Sequence, residues 1–314
     1  MQPRTETETR NATMKRSQNL IAPLTLAAVA ALFLASGALQ AAPVLFVGES
    51  GDARYWDDTG AWDDGQAAQS GKDYLVDPTH ASTPAGADTL RSDQPGDDSD
   101  SSFPGDSLTL TGGSRLATRA EDRKITFADL TMDNAELVNA WDTATHTLAG
   151  NLTVGAGGMA FGNPTSQARA FIVDFDISGT GGITLNMGNT EGGTLDVTFN
   201  NSASTWAGDL IVQGKDGDDN NAGQFVTSFE LDNSTSSLTA DSGLWDLGGF
   251  THTFAAGDVG SATLSSGTYD ATTLNSFGGT TFSGSGGIQI IPEPNSLALL
   301  ALGGAALLHR RRRR

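Results

Sequence analysis

The sequence predicts an all-β protein, a right-handed parallel β-helix with an irregular N-terminal cap, and three observations lead there. Apolar residues recur at every second position in pieces of three to seven residues, as in Phe171-Ile172-Val173-Asp174-Phe175-Asp176-Ile177, which is the pattern of half-buried strands. Glycine, of which the chain has 39, stands at the ends of many of these pieces, where a tight turn must redirect the chain. Only 18% of residues are charged, so the polarity comes from Gly, Ser, Thr, Asn and Asp, which favour turns over long helices. Many short strands that cannot bury an apolar face singly fit stacked coils. A β-sandwich or jelly roll built from hairpins gives the same alternation and stays open as the alternative.

The chain begins with a stretch that belongs to no coil. Lys15 and Arg16 precede a nearly uncharged run from Leu20 to Leu39, followed by Ala41 and Ala42. A basic flank, an apolar helix and small residues make a secretory signal, with cleavage expected after Ala41 because Pro43 disfavours a cut after Ala42. Met14, directly before Lys15, is the better start for such a signal. An uncleaved membrane anchor is the other reading of about twenty apolar residues.

Residues 42–107 are expected to form the cap. They carry Pro78, Pro84, Pro95 and Pro104, the acidic segment around Asp97, Asp98 and Asp100, and few alternating runs beyond Val44-Leu45-Phe46-Val47 and Tyr74-Leu75-Val76. A cap is needed because the first coil of a solenoid exposes a strand edge and an apolar end. Residues 108–291 are expected to be the solenoid. Strands are predicted at Leu108-Thr109-Leu110, Ile125-Thr126-Phe127, Leu152-Thr153-Val154, the 171–177 run, Ile183 to Met187, Leu195 to Phe199, Leu210-Ile211-Val212, Thr263-Leu264 and Ile288-Gln289-Ile290. The glycine pairs Gly181-Gly182, Gly192-Gly193, Gly278-Gly279 and Gly286-Gly287 are expected to turn with positive φ. A weak echo links Leu148-Ala149-Gly150-Asn151-Leu152-Thr153-Val154 with Trp206-Ala207-Gly208-Asp209-Leu210-Ile211-Val212 and Ala256-Gly257-Asp258-Val259, and whole numbers of coils with unequal loops would explain it. The pattern resembles β-helical passenger domains of bacterial surface proteins.

The C-terminus reads Pro292-Glu293-Pro294, then an apolar run from Ser296 to Leu308, then Arg310, Arg311, Arg312, Arg313 and Arg314. The prolines stop any preceding strand and keep the segment extended. The apolar run is short for a spanning helix, but arginines snorkel and a basic end stays cytoplasmic, so the main chain would lie across the membrane. One helix is therefore expected at each terminus. Residues 292–314 resemble the PEP-CTERM sorting signal of exopolysaccharide-producing Gram-negative bacteria. The resemblance implies recognition by a membrane-embedded exosortase, cleavage near Pro292 to Pro294, and release or attachment at the envelope. The implied partners are the Sec translocon and signal peptidase, then the exosortase, with transient anchoring in the inner membrane and exopolysaccharide as a candidate companion at the cell surface.

Residues 43–291 carry 9 Lys or Arg against 34 Asp or Glu, a formal charge near −25. So acidic a body repels nucleic acid and anionic lipid and attracts hard cations. No cysteine is present, which excludes a disulfide scaffold, a thiolate metal site and a cysteine nucleophile. No HExxH, Gly-x-Ser-x-Gly or phosphate loop occurs. Trp56 and Trp62, each followed by two aspartates, could stack on sugar rings or cover the open end of the core. Asp216, Asp218 and Asp219 concentrate oxygen ligands in one loop without the EF-hand order, so weak Ca²⁺ binding and a plain solvated loop both fit. Arg115, Arg119, Arg123, Lys124, Arg169 and Lys215 read as surface counter-charges. The expected role is a non-enzymatic, structural or adhesive protein of the cell envelope or extracellular matrix with no cofactor. A carbohydrate-binding module is the alternative, and a β-helical polysaccharide hydrolase or lyase the second.

Overall fold

The computed structural model describes residues 41–48, 54–83, 88–92, 99–119, 122–141, 143–188, 192–214 and 223–291. The two terminal helices expected from the sequence lie outside them. The chain divides into units Met1–Ala42 and Pro43–Arg314, and the solenoid belongs to the second.

Coils begin at once, each giving one strand to each of two sheets. The first four strands are β1 (Val44–Leu45), β2 (Arg54–Tyr55), β3 (Asp73–Val76) and β4 (Thr89–Arg91). The short β5 (Ser101–Ser102) precedes β6 (Ser107–Thr111) and β7 (Arg115–Thr118). The middle of the body holds β8 (Arg123–Asp133), β9 (Ala135–Asn139), β10 (Thr145–Val154), β11 (Met159–Gly162), β12 (Arg169–Gly179) and β13 (Ile183–Asn186). It continues with β14 (Leu195–Phe199), β15 (Leu210–Gln213), β16 (Gln224–Thr227), β17 (Asp232–Ala240), β18 (Leu244–Asp246) and β19 (Thr251–Val259). The last part contains β20 (Ala262–Thr263), β21 (Gly267–Asp270), the single described helix α1 (Ala271–Asn275), β22 (Thr281–Ser283) and β23 (Gly287–Ile290).

One sheet runs β1-β3-β6-β8-β10-β12-β14-β16-β18-β22, with β5 added beside β8. The other runs β2-β4-β7-β9-β11-β13-β15-β17-β19-β23-β21, with β20 added beside β19. Pairings are parallel except β19 with β20 and β21 with β23. Hairpins would have made neighbours antiparallel, so the sandwich alternative is excluded and the β-helix holds. Residues 43–107, expected as an irregular cap, contribute β1 to β5 to these same sheets, with long connections between them.

Alternation becomes columns. In the second sheet Leu90, Leu116, Leu137, Phe161, Leu185, Val212, Ala240 and Val259 are successive register partners, all buried. In the first, Arg123, His146, Phe171, Val197, Phe225, Trp245 and Phe282 form a column. Rings stack along it, with Phe225 and Trp245 centroids 5.1 Å apart and Trp245 and Phe282 5.8 Å apart. Burying a side chain of this size stabilises by about 1.5–3 kcal/mol, so the columns are the main source of stability.

Long strands bend at glycine. Gly150, in mid-β10, has φ +106, and a Cβ there would lie 1.7 Å from the Phe127 carbonyl oxygen. The register against β8 shifts between Gly150 and Asn151 because β8 carries an extra residue there, Ala128. β8 thereby switches its inward positions from Ile125 and Phe127 to Leu130 and Met132, while β10 keeps Leu148, Leu152 and Val154 inward. The expected positive φ holds at Gly192, Gly278 and Gly279. Gly181 is glycine for another reason, since its Cβ would meet the Gly155 carbonyl oxygen at 1.6 Å. The sequence echo does not mark equivalent coil positions: Leu148–Val154 lies in β10 of the first sheet, whereas Leu210–Val212 belongs to β15 of the second.

The outer strands of the first sheet are covered at both ends. At the first, Ala61 and Asp63 run antiparallel to β1, with Val47 N donating to Ala61 O (2.8 Å) and Asp63 N to Leu45 O (2.9 Å). At the last, the Asn275 side chain stands in for a strand beside β22. Its Nδ2 donates to Phe282 O (2.9 Å) and its Oδ1 accepts from Phe282 N (2.7 Å). Satisfied edge groups remove the template for adding another strand.

Candidate functional site

The sites expected from the sequence separate into three groups. Pro292, Glu293, Pro294 and the arginines from Arg310 to Arg314 lie outside the described residues, as do Asp216, Asp218, Asp219 and Lys215. Asp100 is described and is engaged, its Oδ1 accepting from Lys124 N at 2.9 Å. Among the described residues no group of three or more His, Cys, Asp or Glu is placed to hold a metal ion.

Trp56 and Trp62 correct the sugar-platform reading. They are 2% and 1% exposed, and their rings are packed against other aromatics. Trp62 meets Tyr74 at 4.5 Å and Phe46 at 5.7 Å, and Trp56 meets Phe103 at 5.5 Å and Phe127 at 5.8 Å. The Trp62 indole Nε1 donates to Trp56 O (3.0 Å). No indole face remains for a sugar ring. The Trp-Asp-Asp repeat places the indoles in the core and leaves the acids for turns, as where Asp58 Oδ1 accepts from Gly60 N (2.8 Å) and Asp64 Oδ1 from Gln66 N (3.0 Å).

The basic residues also differ from expectation. Arg115 and Lys124 are surface counter-charges: Arg115 Nη2 lies 2.7 Å from Glu136 Oε2, and Lys124 Nζ 3.8 Å from Asp174 Oδ2. Arg123 and Arg169 are buried, each 5% exposed. Arg123 Nη2 donates to Arg119 O (2.7 Å) and Ser92 Oγ (3.1 Å), and Arg169 Nη1 donates to Asn139 O. They belong to a buried polar corner where strands of the second sheet hand over to the first. Asn139 Nδ2 donates to Ala144 O (2.8 Å) and Ala170 O (3.2 Å), and Asn163 Nδ2 repeats the pattern with Gln167 O (2.6 Å) and Thr194 O (2.8 Å). Each amide ties its own corner to the next coil, satisfying carbonyls that burial would otherwise leave unpaired. The sequence signal for this was an Asn ending an apolar run, which is too common to single out.

Two histidines are wholly buried. Thr118 Oγ1 shares a 2.6 Å hydrogen bond with His146 Nδ1. His252 Nδ1 accepts from Leu231 N (3.1 Å), and its Nε2 lies 3.0 Å from Thr227 Oγ1. Acceptance at Nδ1 fixes a neutral ring, and burial against Trp245 drives its pKa down from 6.5 to about 4. A ring held neutral in a satisfied pocket is a core element.

A shallow groove of about 430 Å³ crosses the outer face of β9, β11, β13 and β15, floored by Gly157, Gly158, Gly182, Ala160 and Thr184. Glu136, already paired with Arg115, is the one acidic group lining it among the described residues.

The site with a definite reading is the end of the last coil. β23 lies between β19 on one side and β21 on the other, and Ile291 N still donates to Phe254 O (2.8 Å). No helix among the described residues is long and apolar enough to cross a membrane. Comparison with curated proteins and with solved structures finds no match. Residues 291–314 match the family described as the PEP-CTERM protein-sorting motif. A β-solenoid thus runs directly into a PEP-CTERM sorting motif, and the chain is an exported, surface-directed exosortase substrate.

Proposed function

We propose that the chain is a structural or adhesive protein of the cell envelope or extracellular matrix, delivered by the Sec translocon, trimmed by signal peptidase and anchored briefly in the inner membrane of a Gram-negative cell until exosortase acts. The observation that carries this reading is the junction itself: a solenoid whose last strand ends at Ile290 and a sorting motif that starts at residue 291. A closed, rigid body is the part delivered.

The outer faces support the same role. Thr109, Thr131, Thr153 and Ser178 are successive outward partners, and beside them Asp129, Asn151 and Asp176 form a second row. Asn151 Nδ2 donates to Asp129 Oδ1 (3.1 Å), and Asn201 Nδ2 to Asp176 Oδ1 (2.6 Å). Interposed amides keep like charges from facing each other on adjacent coils. The result is a hydrated face of hydroxyls, amides and carboxylates suited to an exopolysaccharide matrix, with solubility maintained by the acidic net charge. Fractionation of an exosortase-bearing host, with and without the exosortase, tests the reading. The mature body is expected in the outer envelope or matrix fraction only when the exosortase is present; retention in the inner membrane in both strains would refute it.

A further inference from the structure

The junction between solenoid and signal has no slack. Ile288 and Ile290 are buried in the core, while Ile291, 44% exposed, is the first residue outside it. Gly287, Ile288, Gln289 and Ile290 pair with Thr251, His252, Thr253 and Phe254 on one side and with Asp270, Tyr269, Thr268 and Gly267 on the other. β23 is therefore an interior strand, held by ladders on both edges, although it is the last strand before the signal. Pro292, the next residue in sequence, has no N–H to donate to a further rung. From Ile291 to Pro294 an extended chain reaches only about 10 Å.

Enzymes that take a peptide as an extended strand engage several residues on either side of the bond they cut. Around Pro292-Glu293-Pro294 the upstream residues are those of β23. Paired on both edges to β19 and β21, β23 is not free to be taken up as an extended strand. We infer that the last coil gates processing: exosortase gains its upstream residues only when β23 peels away from β21 and β19, so local opening of this coil limits the rate at which a folded chain is cut. Terminal elements open locally at much lower free energy than the whole body, which makes such a gate workable without unfolding the solenoid. After the cut β23 closes again, because its ladders to β19 and β21 are made by residues 251–254, 267–270 and 287–291, upstream of the signal.

This inference rests on the sorting reading, and its test separates the two. The full-length chain is expressed in an exosortase-bearing host and loss of the tail is followed by pulse-chase. One variant carries eight Gly and Ser residues inserted between Ile291 and Pro292, which supplies about 16 Å of flexible tether outside the last backbone bond of the fold. A second carries Thr268→Cys with Gln289→Cys, cross-strand partners in a chain without other cysteines, at a spacing that antiparallel pairs offer and a disulfide requires. The linker is expected to speed processing at least about threefold. The staple is expected to slow the natural chain, reversibly with reductant, and to leave the linker variant unaffected. Equal rates with and without the linker, or a formed staple without effect on the natural chain, would overturn the gate while leaving the sorting reading intact. A tail that stays uncut in every variant would overturn both. Should the staple not form, the linker comparison alone decides.

Discussion

Replacing Trp62 with alanine separates a core role from a sugar-binding role more sharply than any other single change. The side chain is buried, its ring packs against Tyr74 and Phe46, and its Nε1 donates to Trp56 O. Truncating a buried aromatic costs about 3–5 kcal/mol through lost transfer energy and the cavity left behind. The lost indole donor falls within that range, because Trp56 O still accepts from Ala68 N (3.0 Å). The working value is about 4 kcal/mol. With a guanidinium slope of about 4 kcal/mol/M this is a midpoint shift of ~1 M. Trp62→Phe keeps most of the packing and loses the hydrogen bond, so it should lose about 1–2 kcal/mol. Circular dichroism of the mature protein against guanidinium reads both, alongside binding to a panel of polysaccharides. A Trp62→Ala protein of unchanged stability that had lost polysaccharide binding would refute the core assignment and restore the sugar platform.

Three further outcomes follow from the same structure. His252 is neutral when folded down to about pH 4 but titrates near 6.5 when unfolded, so between these values the unfolded state binds more protons and stability falls as pH is lowered, by ~3 kcal/mol in total. His252→Gln should flatten that part of the pH profile, and NMR should show no protonation of His252 at pH 5. Gly150→Ala should lose at least ~2 kcal/mol, because a Cβ is driven into the Phe127 carbonyl at a positive φ, whereas Gly65→Ala, also at positive φ but with open space around it, should lose only ~1 kcal/mol in thermal melts. Asn139→Ala removes the donors to Ala144 O and Ala170 O and should lower stability by ~2–3 kcal/mol, with hydrogen exchange accelerating first at the corner around residues 139–145.

The division between what was legible and what was not follows from what each signal encodes. Alternation such as Leu108-Thr109-Leu110 states which side chains point inward, and those positions are buried as expected. It does not state which strand lies alongside. That depends on coil length, which varies: Asn151 meets Asp129 22 residues away, while Gln224 meets Asp196 28 residues away. The echo of Leu148–Val154 in Trp206–Val212 consequently pointed to equivalent coil positions that do not exist. Residues 43–107 concealed their coils because prolines and acidic loops separate short strands such as β3 and β4, leaving too few alternating positions to form a pattern. The tryptophans misled for a related reason, since flanking aspartates look the same whether an indole faces water or core. Arg123, Arg169, Asn139 and Asn163 stayed hidden because their burial is created by the corner, and nothing local in their sequence marks it. The sorting motif needed no fold at all, because a protease and a membrane read it as linear sequence.

The solenoid is delivered by a processing signal joined in sequence to its last strand. Intact-mass spectrometry of the mature protein from an exosortase-bearing host measures this most directly. The expected result is a C-terminus near Pro292 to Pro294, with Arg310 to Arg314 gone and β23 complete. A mature chain that still ends at Arg314 would contradict it.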